Sequence, residues 1–392
     1  MTIAITIFIA LLGIYLDYNA YRRIASCACN KIVKYAFISI VAVSYLLILL
    51  TPLMMYYFIN EHNCGFMMKV SMMLLTAYLT LSIPRLILCF LLLISKKRCW
   101  MWTSAVLSSL VFFTFLYSTF VTRTDYKVNE VELYYDNLPS VFDGYRVAFI
   151  SDIHTGSMVD AVDEFGDVVE IINSLNVDAA FLGGDIINIH HSEIDSSFLA
   201  CCSCLKACDG VYMVFGNHDT GAYVKGSTKE YRKANMDTLA AKMHSAGWVV
   251  LRDSTAYVHR ANDSIAITGL DYSEKLFKYK HSTDVVNWVD FSYIYNNVPD
   301  SVFNITLSHL PQLWHSLCGD GYSDLTLSGH IHAMQMKFAS FSPAKFMYEE
   351  WSGLYESEKG KLYINDGIGC VGYLARFGAR PEITIIELHC KE

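Results

Sequence analysis

Charge is what this sequence has least of. Only 17% of its 392 residues are charged, against 53% apolar, and mean hydropathy is +0.30. Soluble globular chains run nearer a quarter charged, so a fully solvated chain is excluded. The scarcity is uneven. Residues 1–122 hold nine Lys/Arg and two Asp/Glu, whereas the remainder holds 21 and 36, a formal −15. There is no internal repeat and no low-complexity segment. The second half has no basic surplus, and an acidic domain repels polyanions, which sets nucleic acid aside as a partner. Bound divalent cations would reverse that potential locally. Small or lipid-linked phosphates then remain as substrates.

The uncharged half contains four apolar stretches, roughly residues 2–21, 35–59, 70–94 and 100–121. About 20 such residues span a bilayer. The second and fourth stretches carry no charge; the third is broken by Pro84 and Arg85. No Lys or Arg precedes Arg22, so the first stretch lacks the basic leader of a signal peptide and is read as a span. Arg22, Arg23, Lys31 and Lys34 fall in one loop, and Lys96, Lys97 and Arg98 in another. Only Lys69 lies between spans two and three. Cytoplasmic loops collect Lys and Arg. The expectation is a multi-pass region at 1–122, a linker at 123–142, and a soluble domain at 143–392 on the periplasmic or extracellular side. Arg85 within a span either pairs with a lipid phosphate or snorkels toward the inner face.

From Asp143 the pattern becomes short β-rich runs ending in Gly, Asp, Asn or His. Strands are predicted at 145–151, 179–183, 211–215, 249–251, 257–260, 265–270, 303–307, 324–327, 362–364 and 383–388. Helices are predicted at 161–174, 193–207 and 229–246, and residues 276–291 as a surface excursion. Strands alternating with helices indicate a layered α/β domain. Chemistry is expected at the carboxyl ends of its strands.

Five polar clusters sit at such ends: Asp152-x-His154, Gly184-Asp185, Gly216-Asn217-His218-Asp219, His309, and Gly329-His330-x-His332. Any one of these histidines is as easily a hydrogen-bonded core residue; the set in this order is the signal. Carboxylate, imidazole and amide donors suit Mn²⁺, Fe or Zn²⁺, and the set is too rich in histidine for Ca²⁺ or Mg²⁺. No cysteine belongs to it. Cys201, Cys202, Cys204 and Cys208 have CxxC spacing, which fits a zinc site or disulfide, but 201, 204 and 208 share a helix face and suit core packing. His190 and His191 line the pocket or lie on a solvated loop.

In this order the clusters resemble the calcineurin-like metallophosphoesterases, over residues 144–389. The resemblance implies a four-layer α/β/β/α sandwich and two divalent metal ions. It implies that Asp152, His154 and His332 bind the first, and Asn217, His309 and His330 the second. Asp185 would bridge them with a hydroxide that attacks phosphorus, and His218 would serve the leaving oxygen without being a ligand. Asp185, Asn217 and His218 are therefore the expected catalytic residues. Asp219 is expected to orient its neighbours. The tail, Gly367-Ile368-Gly369 with Arg376 and Arg380, looks like a membrane-associated branch of that family. Some members of that branch hydrolyse the pyrophosphate of UDP-diacylglucosamine, which is made on the cytoplasmic side. That substrate and the outward topology conflict. The expected function is a membrane-anchored phosphohydrolase acting on a diester or pyrophosphate of a lipid-linked or envelope substrate. The alternatives are a phosphate-ligand sensor or transport-associated protein, and a phosphomonoesterase. The sequence gives no oligomeric state.

Overall fold

A computed structural model describes residues 2–27, 31–54, 63–272, 276 and 290–391. Most of the stretch read as a surface excursion lies outside them. The chain divides into two compact units.

The first unit comprises four helices: α1 (Thr2–Cys27), α2 (Lys31–Leu53), most of α3 (Cys64–Ile94) and α4 (Arg98–Phe120). Among the described residues, three segments are long and apolar enough to cross a membrane: Lys31–Leu53, Cys64–Ile94 and Arg98–Thr124. In hydrocarbon every polar group needs an internal partner. The hydroxyls of Ser44, Thr51, Thr76, Thr80 and Ser104 accordingly donate to carbonyls one turn back.

Arg85 does not snorkel; it turns inward. It is 6% exposed, and its Nε lies 3.5 Å from Asp17 Oδ1. Tyr45 donates its hydroxyl to Asp17 Oδ2 at 3.0 Å, and the guanidinium lies over the Tyr45 ring. A buried charge is tolerated only with a counter-charge, and sequence position does not reveal which residue supplies it. Removing one partner of a buried pair leaves the other uncompensated, at a cost of about 3–5 kcal/mol. Asp17→Asn and Arg85→Met should each lower the detergent unfolding temperature of the protein. The double replacement should recover most of the loss; additive losses would show that the two charges do not pair.

The second unit is the α/β domain, with two six-stranded sheets. Its strands are β1 (Lys127–Tyr135), β2 (Tyr145–Ile150), β3 (Ala179–Leu182), β4 (Val211–Met213), β5 (Val249–Val250), β6 (Ser254–Arg260), β7 (Asp263–Gly269), β8 (Asn304–Leu307), β9 (Leu325–Ser328), β10 (Gly353–Ser357), β11 (Gly360–Ile364) and β12 (Glu382–Cys390). One sheet runs β1-β12-β2-β3-β4-β5, the other β10-β11-β9-β8-β7-β6. Strands β2, β3 and β4 are mutually parallel, as are β8 and β9.

Alternation in β2 explains the layers. Tyr145, Val147 and Phe149 join Ile265, Ile267, Ile305, Leu307 and Leu327 in the core between the sheets. Ala148 and Ile150 face the other way, onto helices α5 (Ala161–Ser174), α6 (Ser196–Cys202) and α7 (Lys229–Ser245). On the far side, Leu362 and Ile364 of β11 pack against Trp314 and Cys318. The result is the α/β/β/α order. Helix α5 starts where Asp160 accepts from the Asp163 N–H. It buries Phe165, Val168, Val169 and Ile172, one face at helical spacing.

Three expectations are corrected. Residues 127–135, assigned to a linker, form an edge strand parallel to β12; exposed Glu130 and Glu132 disguised it as solvated chain. The helix predicted at 193–207 runs only from Ser196 to Cys202, because Asp195 caps it by accepting from Phe198 N–H. Cys202, not Cys201, Cys204 or Cys208, is the buried cysteine of the cluster, and all four are free thiols.

Candidate metal centre

The polar clusters leave the carboxyl ends of β2, β3, β4, β8 and β9. Five of these residues turn sharply enough to have positive φ: Asp152 (+55°), His154 (+48°), Asp185 (+55°), His330 (+74°) and His332 (+54°). Such backbone is costly for a residue with a Cβ, and it concentrates at functional sites. Glycine is required beside it. A Cβ on Gly184, which has φ +96°, would meet Gly216 N at 2.6 Å, and one on Gly216 would collide with the Asp185 carboxylate.

The turns bring three overlapping groups of donor atoms together: Asp152, His154 and His332; His154, Asp185 and His218; and Asp185, His309 and His330. His332 Nε2 lies 3.0 Å from Asp152 Oδ1 and 3.2 Å from His154 Nε2. His309 Nε2 lies 3.2 Å from Asp185 Oδ2 and 3.2 Å from Asn217 Oδ1. Asp185 Oδ2 is also 3.8 Å from His154 Nε2. Asp185 therefore belongs to two of the groups, and Asn217 joins the His309 side. His190 and His191 are in none of the groups found among the described residues. Arg376 is fully buried and donates to the carbonyls of Gly369, Asp366 and Ala379. Arg380 pairs with Asp125 at 2.8 Å.

The donor set fits cations. Buried acceptors face one another, and Nδ1 of both His154 and His332 is buried without a hydrogen-bond partner. His309 instead donates Nδ1–H to the Gly183 carbonyl at 2.8 Å, which aims Nε2 at Asp185 and Asn217. Burial opposes charge on Asp152, but His332, His309 and His154 outweigh it and hold the carboxyl well below its usual range. Asp185 is held low in the same way, chiefly by His309 and His218. Burial and His218 depress His154; burial and His309 bring His330 down to about 3. His309 goes up to about 9, because Asp185 and Asp152 overcome its burial. Ionised Asp152 and Asp185 beside neutral His154 and His330 are in the protonation states that bind metal, and an arriving cation would displace the proton that the carboxylates hold on His309.

Two acids that are not ligands hold the loops. Asp219 accepts from the N–H groups of Asp185, Ile186, Ile187 and Gly216, and so ties the β3 turn to the β4 turn. Glu193 accepts from Gly156, Asn188, Ile189 and His190, and so ties the β2 turn to the β3 turn. Sequence reasoning missed Glu193, since it lies within a stretch that reads as helix. His218 N–H donates to Asp185 Oδ1 at 2.7 Å, and its Nδ1–H donates to the Asn188 carbonyl at 2.7 Å. His218 and His330 are the partly exposed members of the group.

Residues 145–334 match the family described as Calcineurin-like phosphoesterase. The chain is 30% identical over 269 residues to a protein of Danio rerio named "Transmembrane protein with metallophosphoesterase domain". That match covers 67% of this chain and 57% of the Danio rerio protein. It is 27% identical over 263 residues to "Uncharacterized metallophosphoesterase YkuE" of Bacillus subtilis, covering 64% of this chain and 81% of the relative. The solved phosphopantetheinyl hydrolase of Mycobacterium tuberculosis aligns with 57% of this chain and 89% of its own, at 11% identity and a TM-score of 0.35. A likeness that remote carries no argument about function.

Proposed function

We propose that this chain, which carries a calcineurin-like phosphoesterase domain at residues 145–334, is a membrane-anchored, two-metal phosphohydrolase acting on a diester or pyrophosphate of a lipid-linked or envelope substrate. The observation that carries this reading is the chain of overlapping donor groups, in which His154 links Asp152 and His332 to Asp185, and Asp185 links on to His309 and His330. Asp152, His154 and His332 would hold one ion, Asn217, His309 and His330 the other, and Asp185 both. The mixed carboxylate, imidazole and amide donors suit Mn²⁺, Fe or Zn²⁺. Such a pair supplies an acidified water and a clamp on phosphoryl oxygens.

The protein's own part is orientation and proton handling. Asp185 is fixed by accepting the His218 N–H, which leaves Oδ2 toward His154 and His309. His218 has its Nδ1–H committed to a carbonyl, so Nε2 is free to hold or pass a proton at the leaving oxygen. The buried acceptors exclude bulk water, and the partly exposed His218 and His330 mark the side from which substrate arrives.

The membrane helices support a lipid-linked substrate, since an enzyme of soluble nucleotides gains little from them. Arg22 and Arg23 near the end of α1, Lys31 and Lys34 at the start of α2, and Lys96, Lys97 and Arg98 between α3 and α4 support an outward-facing domain, which disfavours a cytoplasmic nucleotide-lipid precursor. Exposed Cys204 and Cys208 are handles for a membrane-impermeant maleimide on intact cells, once Cys27, Cys29 and the exposed Cys99 beside the basic clusters are replaced by serine; in that background labelling is expected only if the domain faces out. For activity, the full chain in detergent, loaded with Mn²⁺, should turn over bis-p-nitrophenyl phosphate faster than p-nitrophenyl phosphate. A reversed preference would favour a monoesterase. Tight phosphate binding without hydrolysis would favour a sensor.

A further inference from the structure

The Tyr223 side chain touches both Asn217 and His218. It follows them after a tight turn: Gly221 has φ +74°, and its N–H donates to the His218 carbonyl at 3.4 Å. The Thr220 hydroxyl donates to the Asn217 carbonyl at 2.7 Å. Asn235 of α7 anchors the turn from behind, donating to the Asp219 carbonyl at 2.7 Å. A Cβ on Gly221 would meet the Asn235 amide at 3.0 Å. The turn carries the tyrosine back over its own start.

There it makes two contacts. The Asn217 amide Nδ2–H donates to Tyr223 Oη at 2.9 Å, while Asn217 Oδ1 faces His309 Nε2 at 3.2 Å. The ring stacks on the His218 imidazole, with centroids 4.4 Å apart and planes 23° apart. His218 meets His154 edge-on from another side at 4.8 Å. Asn217 is 3% exposed and the tyrosine 39% exposed, so the ring forms the outer wall over a buried amide.

We propose that Tyr223 is a positioning residue of this centre, orienting the Asn217 carbonyl oxygen toward the metal side and holding the His218 ring in its plane. The inference rests on the two-metal reading above. An asparagine offers a cation only its carbonyl oxygen; turned over, it presents an NH₂ group, which repels a cation. An acceptor placed behind the NH₂ group decides the orientation, as outer partners of metal ligands do. The hydroxyl sets the amide and the ring sets the imidazole, so the two tasks separate by substitution. Tyr223→Phe removes only the acceptor; Tyr223→Ala removes both.

The test is calorimetric titration of Mn²⁺ into the chelator-stripped full chain in detergent, together with the unfolding temperature of the metal-free protein. Wild type is expected to take two ions. Tyr223→Phe should bind one ion as wild type does and the other about 10–100-fold more weakly, with the metal-free unfolding temperature unchanged. Tyr223→Ala should show the same selective weakening and an added loss of turnover on diesters with poor leaving groups. If Tyr223→Phe binds both ions as wild type does, the inference is wrong. If both ions weaken equally, or the metal-free protein unfolds earlier, Tyr223 has a merely structural role and the inference also fails. Fewer than two ions in wild type would instead sink the two-metal reading, and this inference with it.

Discussion

Asp185→Asn is expected to cost more turnover than any other single replacement in the chain. The carboxylate is 2% exposed and is the only carboxylate shared by two of the donor groups found among the described residues. Asparagine keeps the size and can still accept the His218 N–H with its remaining oxygen. What it loses is the negative charge facing His154 and His309. Loss of an outer partner of a metal ligand costs roughly 10–100-fold, and loss of a shared ligand should exceed that. The chain should remain in the membrane fraction, because Asp185 follows β3 in the second unit and is not part of the apolar helices. Initial rates and bound metal in the purified variant check this. Full activity would place the chemistry elsewhere.

His218→Ala is the second large effect, and its size should depend on the substrate. General acid catalysis contributes about 10²–10⁴-fold, but only where the leaving oxygen needs a proton. p-Nitrophenolate leaves readily as an anion, so the loss on bis-p-nitrophenyl phosphate should be small. An alkyl or glyceryl leaving group is a strong base, and there the loss should approach the full range. Rates of wild type and variant across leaving groups of rising pKa give the answer. A loss that stays constant along the series would mean that His218 only binds phosphate, and the proton would then come from another group. The metal content should stay at two in this variant, since His218 is not assigned as a ligand.

The clustering of these residues is legible in the sequence, because they come in short runs behind β-rich segments. The helix at Ala161–Ser174 is legible to its ends, since Asp160 is a good cap and the apolar spacing is regular. The edge strand Lys127–Tyr135 is not, because one of its faces is solvated and charged. Long-range pairing was the other blind spot. That Arg85 finds Asp17 depends on how separate helices pack. That Glu193 leaves a helical pattern to collect four backbone N–H groups depends on loop paths set by the sheet. Tyr223 was invisible for the same reason. Its neighbour in sequence, Gly221, announces a turn, but only the turn's direction places a ring over His218.

The most direct test of the two-metal reading is a stepwise titration of Mn²⁺ into the chelator-stripped full chain in detergent, with hydrolysis of bis-p-nitrophenyl phosphate followed at each step. The account predicts no turnover without metal and a rate that levels off at two ions per chain. A folded protein that holds two ions yet hydrolyses neither this diester nor the monoester, or one whose rate ignores the metal, would contradict it.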